Sequence, residues 1–363
     1  MVYVRGNPLE ETASNFTEKE EGFVCLRPDG RPAGGYLLKH YSLSRGESFL
    51  PTGGIAAVGV MPHERGAGVG SLLMESSLEA MRERGLVLAA LYPYREAYYR
   101  RFGYAQCGRR FQITVPTARF PKLESELECF RISPEDLGKL RGPYHSMAQR
   151  IAGFHQRSDQ DWINRMGSKP PVIFALGDPA EAYVWTHYPD NFWEKFEFGE
   201  FSWSTMRGYR SALALMRGLI DNQKSATWME ASNSPYLALY LDQGADFQLH
   251  RPTMMRILDV PGAFSVLRHP VGLRATIEID DPQMPTNHGL WEIELGPDGT
   301  RCARGSGPAA LRGSIQAWTQ ALMGEPSLAV LVECGAIEVL DPSQAPAIQL
   351  AFPAQPCMCS EFF

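Results

Sequence analysis

The 363-residue chain has no long hydrophobic run. Its most apolar stretches, residues 86–92 and 328–332, fall far short of the roughly 18–20 residues that a membrane-spanning helix needs, so no span is expected. The start, Met1-Val-Tyr-Val-Arg-Gly, has neither the basic opening nor the apolar core of a secretory signal, and a cytoplasmic protein is expected. The chain also lacks any Cys-x-x-Cys pair. Its seven cysteines (25, 107, 129, 302, 334, 357 and 359) are odd in number and scattered, which argues against a disulfide framework and a structural zinc site. Cys357 and Cys359 flank one Met, but no His/Cys cluster accompanies them; they are read as packing thiols, and no metal is expected. Positive charge is scarce at one end: no lysine follows Lys224, and from His269 onward four Arg face eleven Asp or Glu. Such a chain offers no basic face to a phosphodiester backbone, which excludes nucleic acid and leaves a cationic small molecule as the natural partner.

What is present describes a globular protein. Hydrophobic residues at 44% suffice for sizeable cores, and the length exceeds what one core usually organises, so two or three domains are expected. Residues 22–26, 36–39 and 54–60 carry strand signals separated by turns such as Asp29-Gly30, an antiparallel meander. Met74, Leu78 and Met81 then stand at i, i+4 and i+7 beside Glu75, Glu79 and Arg82, which predicts an amphipathic helix over 68–84, closed by Gly85. A buried strand is expected at 86–92, a short helix at 96–101 ended by Gly103, and one more strand of this first region at 111–115.

From Arg131 the order recurs loosely. Helical signals surround Leu137, Leu140 and Met147, strands are expected at 171–176 and 182–185, a helix at 209–220 and a strand at 226–229. This reads as a diverged repeat without a glycine-rich turn ahead of its helix, and no cofactor is expected there. A third region follows Pro261-Gly262, with strands at 275–279 and 289–295, a Gly296-Pro-Asp-Gly turn and a helix at 314–323.

The chemically informative string is Val58-Gly-Val-Met-Pro-His-Glu-Arg65-Gly66-Ala-Gly68-Val-Gly70-Ser71. A glycine-rich turn between a strand and a helix lets backbone N–H groups close on a phosphate, with the helix dipole adding positive potential. The spacing is neither G-x-x-x-x-G-K-S/T nor G-x-G-x-x-G, so nucleoside triphosphates and nicotinamide dinucleotides are poorly supported. The same turn is also a common way simply to start a helix.

Arg65-Gly-Ala-Gly68-Val-Gly70 resembles the Q/R-x-x-G-x-G/A signature of the GNAT acetyltransferases. Tyr98-Tyr99-Arg-Arg-Phe-Gly-Tyr104 resembles the YxRFGY element of one branch, the enhanced intracellular survival (Eis) proteins. The resemblance continues through Leu258-Asp-Val-Pro-Gly-Ala-Phe, Trp291-Glu-Ile-Glu-Leu-Gly-Pro-Asp-Gly and the aromatic C-terminus. It implies an α+β chain of a GNAT domain that binds acetyl-coenzyme A (residues 1–118), a degenerate GNAT-like domain (119–262) and a sterol-carrier-like α/β domain (263–363). It further implies acetyl transfer to primary amines, aminoglycosides among them, and a homo-oligomer, a hexamer.

Carried over residue by residue, Val58 and Val60 match the strand whose backbone pairs with the pantetheine arm and polarises the acetyl carbonyl, and Arg65, Gly66, Gly68, Gly70 and Ser71 match the pyrophosphate loop. Many Eis relatives have consecutive arginines in that loop; here Arg65 is followed by Gly66-Ala67, which shifts the holding to backbone N–H groups. Tyr99 is the candidate general acid, its phenol being well matched to a thiolate leaving group. Tyr98 is its neighbour and competitor, while Tyr104 is expected in a pocket wall; any tyrosine here is also a packing residue. By composition the base is His63, Glu64 or the terminal carboxylate of Phe363, and the resemblance implies Phe363. Two other functions remain open at this stage: a lipid or small-molecule carrier with a vestigial GNAT unit, and acetylation of protein lysines or amino-termini.

Overall fold

A computed structural model describes residues 19–167, 171–186 and 195–361. The strands are β1 (Glu20–Leu26), β2 (Pro32–Arg45), β3 (Ser48–Val60), β4 (Leu88–Leu91) and β5 (Ala105–Gln106), then β6 (Arg110–Pro116), β7 (Cys129–Arg131), β8 (Val172–Leu176), β9 (Ala182–Thr186), β10 (Lys195–Trp203), β11 (Ser225–Ala231) and β12 (Asp246–His250). Six more follow: β13 (Met254–Ile257), β14 (Leu273–Asp280), β15 (Gly289–Gly296), β16 (Gly299–Arg304), β17 (Leu311–Ser314) and β18 (Ile337–Val339). They build three sheets, ordered β1-β2-β3-β4-β13-β5, β12-β6-β11-β10-β9-β8-β7 and β16-β15-β14-β17-β18. Mixed α+β structure therefore runs through the whole described chain. Among the described residues no helix is long and apolar enough to cross a membrane.

The described residues pack as two compact units: 19–108, 252–355 and 359–361 form one, and 109–251 with 356–358 form the other. In the first unit the meander β1-β2-β3 is antiparallel, as the short turns between its strands predict. Helix α1 (Val69–Glu83) then crosses back so that β4 joins β3 in parallel, Thr52–Ile55 against Leu88–Leu91. The amphipathic stripe explains the docking: Leu73, Met74, Leu78 and Met81 are buried with Leu38, Ile55 and Leu91 of the sheet. Strand β13, from much further along the chain, pairs with both β4 and β5. The helix Ile315–Met323 joins this sheet to the third one: Gln320 donates to the Gln106 carbonyl at 2.8 Å, and Trp318 Nε1 donates to the Glu278 carbonyl at 3.0 Å.

One expectation needs correction. Residues 111–115 form a strand, but β6 pairs with β11 and β12 of the second unit and not with the first sheet. Alternation reports that a segment is a strand and which face it buries; it does not name the partner, and the place beside β4 belongs to β13.

The second unit repeats the pattern of the first. An antiparallel pair, β9 and β10, leads into the helix Met206–Leu219, and β11 returns parallel to β10 over Lys195–Glu197. The start of this helix is closed by side chains of the unit. Thr205 Oγ1 accepts from the Gly208 N–H at 2.9 Å and donates to Glu181 Oε2 at 2.5 Å. Glu181 is in turn paired with Arg207 of the first turn, so the chain's own charges occupy this helix start.

Candidate acyl-donor site

Strand β3 outruns its parallel partner. The ladder with β4 stops at Ile55–Leu91, and at Ala57, with φ 48°, β3 carries a bulge against β2. Beyond it, Met61 N–H donates to the Ala33 carbonyl at 2.8 Å. By the alternation of a strand, Gly59 then faces β2, and the N–H and C=O groups of Val58 and Val60 face the open edge where β4 has ended. Their side chains lie partly buried against the core.

The chain passes from this edge through a single 3-10 turn, Pro62–Glu64, into the glycine loop. Gly66 and Gly68 hold φ of 88° and 85°, left-handed values that L side chains avoid, and a Cβ at either would meet nothing within 4 Å. Glycine is required here for its backbone angle alone. Gly68 is the N-cap of α1 and supplies no capping side chain. Among the described residues the N–H groups of Gly66, Gly68, Val69, Gly70 and Ser71 donate to no backbone carbonyl, and all sit at one helix start. Such a cradle suits a diphosphate, and Arg65, exposed at its rim, adds charge. His63 is exposed, its Nε2 3.6 Å from Glu64 Oε1, while Glu64 accepts from Arg27 Nη1 at 2.8 Å.

Helix α2 (Glu96–Arg100) brings both tyrosines alongside. The Tyr98 hydroxyl lies against Gly70: a Cβ there would stand 2.8 Å from it. Tyr99 is buried, its ring at 5.1 Å from that of Tyr98 and 6.4 Å from that of Tyr104. Burial pushes the Tyr98 and Tyr104 phenols above their ordinary values. The Tyr104 hydroxyl has no hydrogen-bond partner among the described residues.

Tyr92, just past β4, donates its hydroxyl to the Glu361 carbonyl at 2.9 Å, which places the described end of the chain beside the same sheet edge. Phe363 lies outside the described residues. The structure thus brings the 58–60 edge, the 65–71 loop and Tyr98–Tyr99 together in one unit.

Sequence reasoning missed Tyr92 and, more consequentially, Arg256. Arg256 lies on β13, fully buried; its Nη2 meets both oxygens of Asp281 at 2.8 Å and its Nη1 donates to the Phe102 carbonyl. The available signal was a single charge inside the apolar run Met254-Met-Arg-Ile-Leu.

Comparison with known proteins bears on the domains and the fold. Residues 4–107 match the acetyltransferase (GNAT) domain family and residues 260–360 the sterol carrier protein domain family. An uncharacterized N-acetyltransferase of Streptomyces avermitilis is 24% identical over 335 residues, 85% of this chain and 80% of that one. A GCN5-related N-acetyltransferase from Anabaena variabilis superposes with a TM-score of 0.87 at 19% identity, covering 100% of this chain and 94% of its own. The chain therefore carries an acetyltransferase (GNAT) domain followed by a sterol carrier protein domain. Eis1 from Mycobacterium abscessus shares the fold, with a TM-score of 0.76 at 18% identity over 94% of this chain and 90% of that one.

Proposed function

We propose that the donor is acetyl-coenzyme A and that the acceptor is a primary amine on a small molecule, an aminoglycoside-type polyamine being the candidate class. The observation that carries this reading is the loop over 65–71, whose outward N–H groups share one helix start beside the open edge of β3. Gly66, Gly68, Gly70 and Ser71 hold the pyrophosphate, with Arg65 at the rim.

The bound thioester supplies an activated acetyl carbonyl; the chain positions it and manages charge and protons. Val58 and Val60 hold the pantetheine arm, and their strand edge stabilises the oxyanion that forms as the amine nitrogen bonds to the carbonyl carbon. Tyr99 protonates the thiolate as the carbon–sulfur bond breaks. The Phe363 carboxylate receives the amine proton. The attack is direct; burial pushes the Cys107 and Cys302 thiols up, Cys302 to about 12, which disfavours either of them as a nucleophile. The domain division at 118 and 262 belongs to the same proposal, with β6 and β13 pairing across those sequence boundaries. So do a cytoplasmic location and a homo-hexamer.

The test is incubation of the full chain with acetyl-coenzyme A and a panel of amines, followed by mass measurement of the acceptors. A single acetyl increment on any free amine supports the reading, and repeated increments indicate a polyamine acceptor. Increments only on peptides would move the acceptor to proteins, and saturable donor binding with no increment on anything would remove the catalytic scheme.

A further inference from the structure

The sterol carrier domain match begins at residue 260, and one carboxylate within it connects through Arg256 to the turn that ends α2. Asp281 follows β14 and is fully buried. Both of its oxygens meet Arg256 Nη2 at 2.8 Å, and it also accepts from the Met284 N–H at 3.2 Å and from Asn287 Nδ2 at 3.1 Å. Asp281 is thereby fixed by its own loop before it holds anything else. Arg256, equally buried, spends its other terminal nitrogen on the Phe102 carbonyl. Phe102 in turn closes the turn that ends α2: its N–H donates to the Tyr99 carbonyl at 2.9 Å, Gly103 N–H to the Arg100 carbonyl at 3.1 Å, and Tyr104 N–H to the Tyr99 carbonyl at 3.4 Å.

A five-residue helix has little intrinsic stability, so its geometry depends on what its end is tied to. The tie here is a buried guanidinium, and a single buried carboxylate orients it. A buried ion pair is weak evidence for stability on its own, since two apolar residues fill such space at least as well. What apolar residues cannot supply is a donor aimed at the Phe102 carbonyl.

We infer that Asp281, acting through Arg256, is a positioning residue for Tyr99, so that the sterol carrier domain holds the general acid of the acetyltransferase domain in register with the acyl donor. The inference deepens the function proposed above and rests on it for the role of Tyr99; the coupling itself is a property of the fold and is testable apart from activity.

The experiment uses the full chain and three variants, read by steady-state kinetics with acetyl-coenzyme A, by denaturation, and by hydrogen exchange at the amides of 102–104. Asp281→Asn keeps an acceptor but loses the charge and one symmetric oxygen. It is expected to lower kcat on the order of 10- to 100-fold through misplacement of Tyr99, with the donor KM within about twofold, because the 65–71 loop is untouched. The double variant Arg256→Met with Asp281→Leu fills the space without charges. It is expected to be at least as stable as Asp281→Asn while kcat stays low and the 102–104 amides exchange faster than in the unaltered protein. Glu292→Gln, which removes an exposed pair with Arg274 in the same domain, is the control and should leave every reading unchanged.

Recovery of kcat together with stability in the double variant would reduce the pair to a packing element and overturn the inference. So would unaltered exchange at 102–104 in both variants. If the unaltered chain acetylates nothing, the proposed function fails while the exchange measurement still decides the coupling.

Discussion

Gly103 and Arg256 occupy adjoining space in which only one of them can have a side chain. Gly103 has φ 80°, and a Cβ on it would run into the Arg256 guanidinium, with the Ile315 side chain 3.2 Å away on the other side. The glycine of the YxRFGY element therefore does two things: it turns the chain after α2, and it leaves a channel for the arginine that holds the Phe102 carbonyl. Gly103→Ala combines left-handed strain with overpacking against a guanidinium that Asp281 and the Phe102 carbonyl hold in place, and is expected to destabilise the first unit by about 2–4 kcal/mol. Denaturant titration checks this, and a loss below about 0.5 kcal/mol would mean that Arg256 is not confined as described.

The glycine loop makes the opposite prediction. Nothing lies within 4 Å of a Cβ at Gly68, so Gly68→Asp meets only the cost of φ 85°, about 1 kcal/mol, and the fold survives. The added carboxylate nevertheless faces the N–H groups proposed to hold a pyrophosphate. Calorimetry should show acetyl-coenzyme A affinity falling at least about tenfold, a difference of about 1.4 kcal/mol. Unchanged affinity in a folded variant would move the pyrophosphate elsewhere.

How much of this was legible beforehand depends on whether the determining contact was local. Helix α1 was readable from Met74, Leu78 and Met81, because the spacing that buries a stripe is written within the helix itself. The loop was readable because two left-handed positions demand glycine at fixed spacing. The partner of residues 111–115 was not readable, since β6 alternates equally well in either sheet. Arg256 and Asp281 were not readable as a pair either: 25 residues separate them, and only the pairing of β13 between β4 and β5 brings the guanidinium to Phe102.

The choice between the adjacent tyrosines of α2 is testable by kinetics. Tyr98 stands over Gly70 at the start of α1, where its hydroxyl can touch bound donor, whereas Tyr99 faces inward beside Tyr104. Tyr99→Phe is expected to lower kcat by roughly 100-fold or more, the usual scale for losing a general acid, with little change in stability. Tyr98→Phe should act on donor KM and leave kcat within about threefold. The reverse pattern would transfer the proton-donating role to Tyr98.

The last prediction concerns acid stability in the second unit, where Glu200 lies on β10. Its oxygens accept from Arg157 at 2.7 and 2.9 Å and from the Tyr183 hydroxyl at 2.5 Å, and the Arg157 guanidinium lies 4.3 Å from the Tyr144 ring centroid and 4.7 Å from that of Trp162. Burial alone would raise the carboxyl, but the charge and hydrogen bonds of Arg157, helped by Arg165 and Tyr183, outweigh it and hold the group at about 2 against an ordinary 4.5. A carboxyl depressed in the folded state stabilises it fully above the unfolded value, and that contribution disappears as pH falls from about 4.5 toward 2. Protection factors for the amides of β8–β10, corrected for the intrinsic pH dependence of exchange and followed from neutral pH downward, should therefore fall across that window. Glu200→Gln should abolish this acid dependence and, by leaving a buried guanidinium without its charge partner, cost about 3–5 kcal/mol at neutral pH. An unaltered acid profile in that variant would place the titrating group somewhere other than β10.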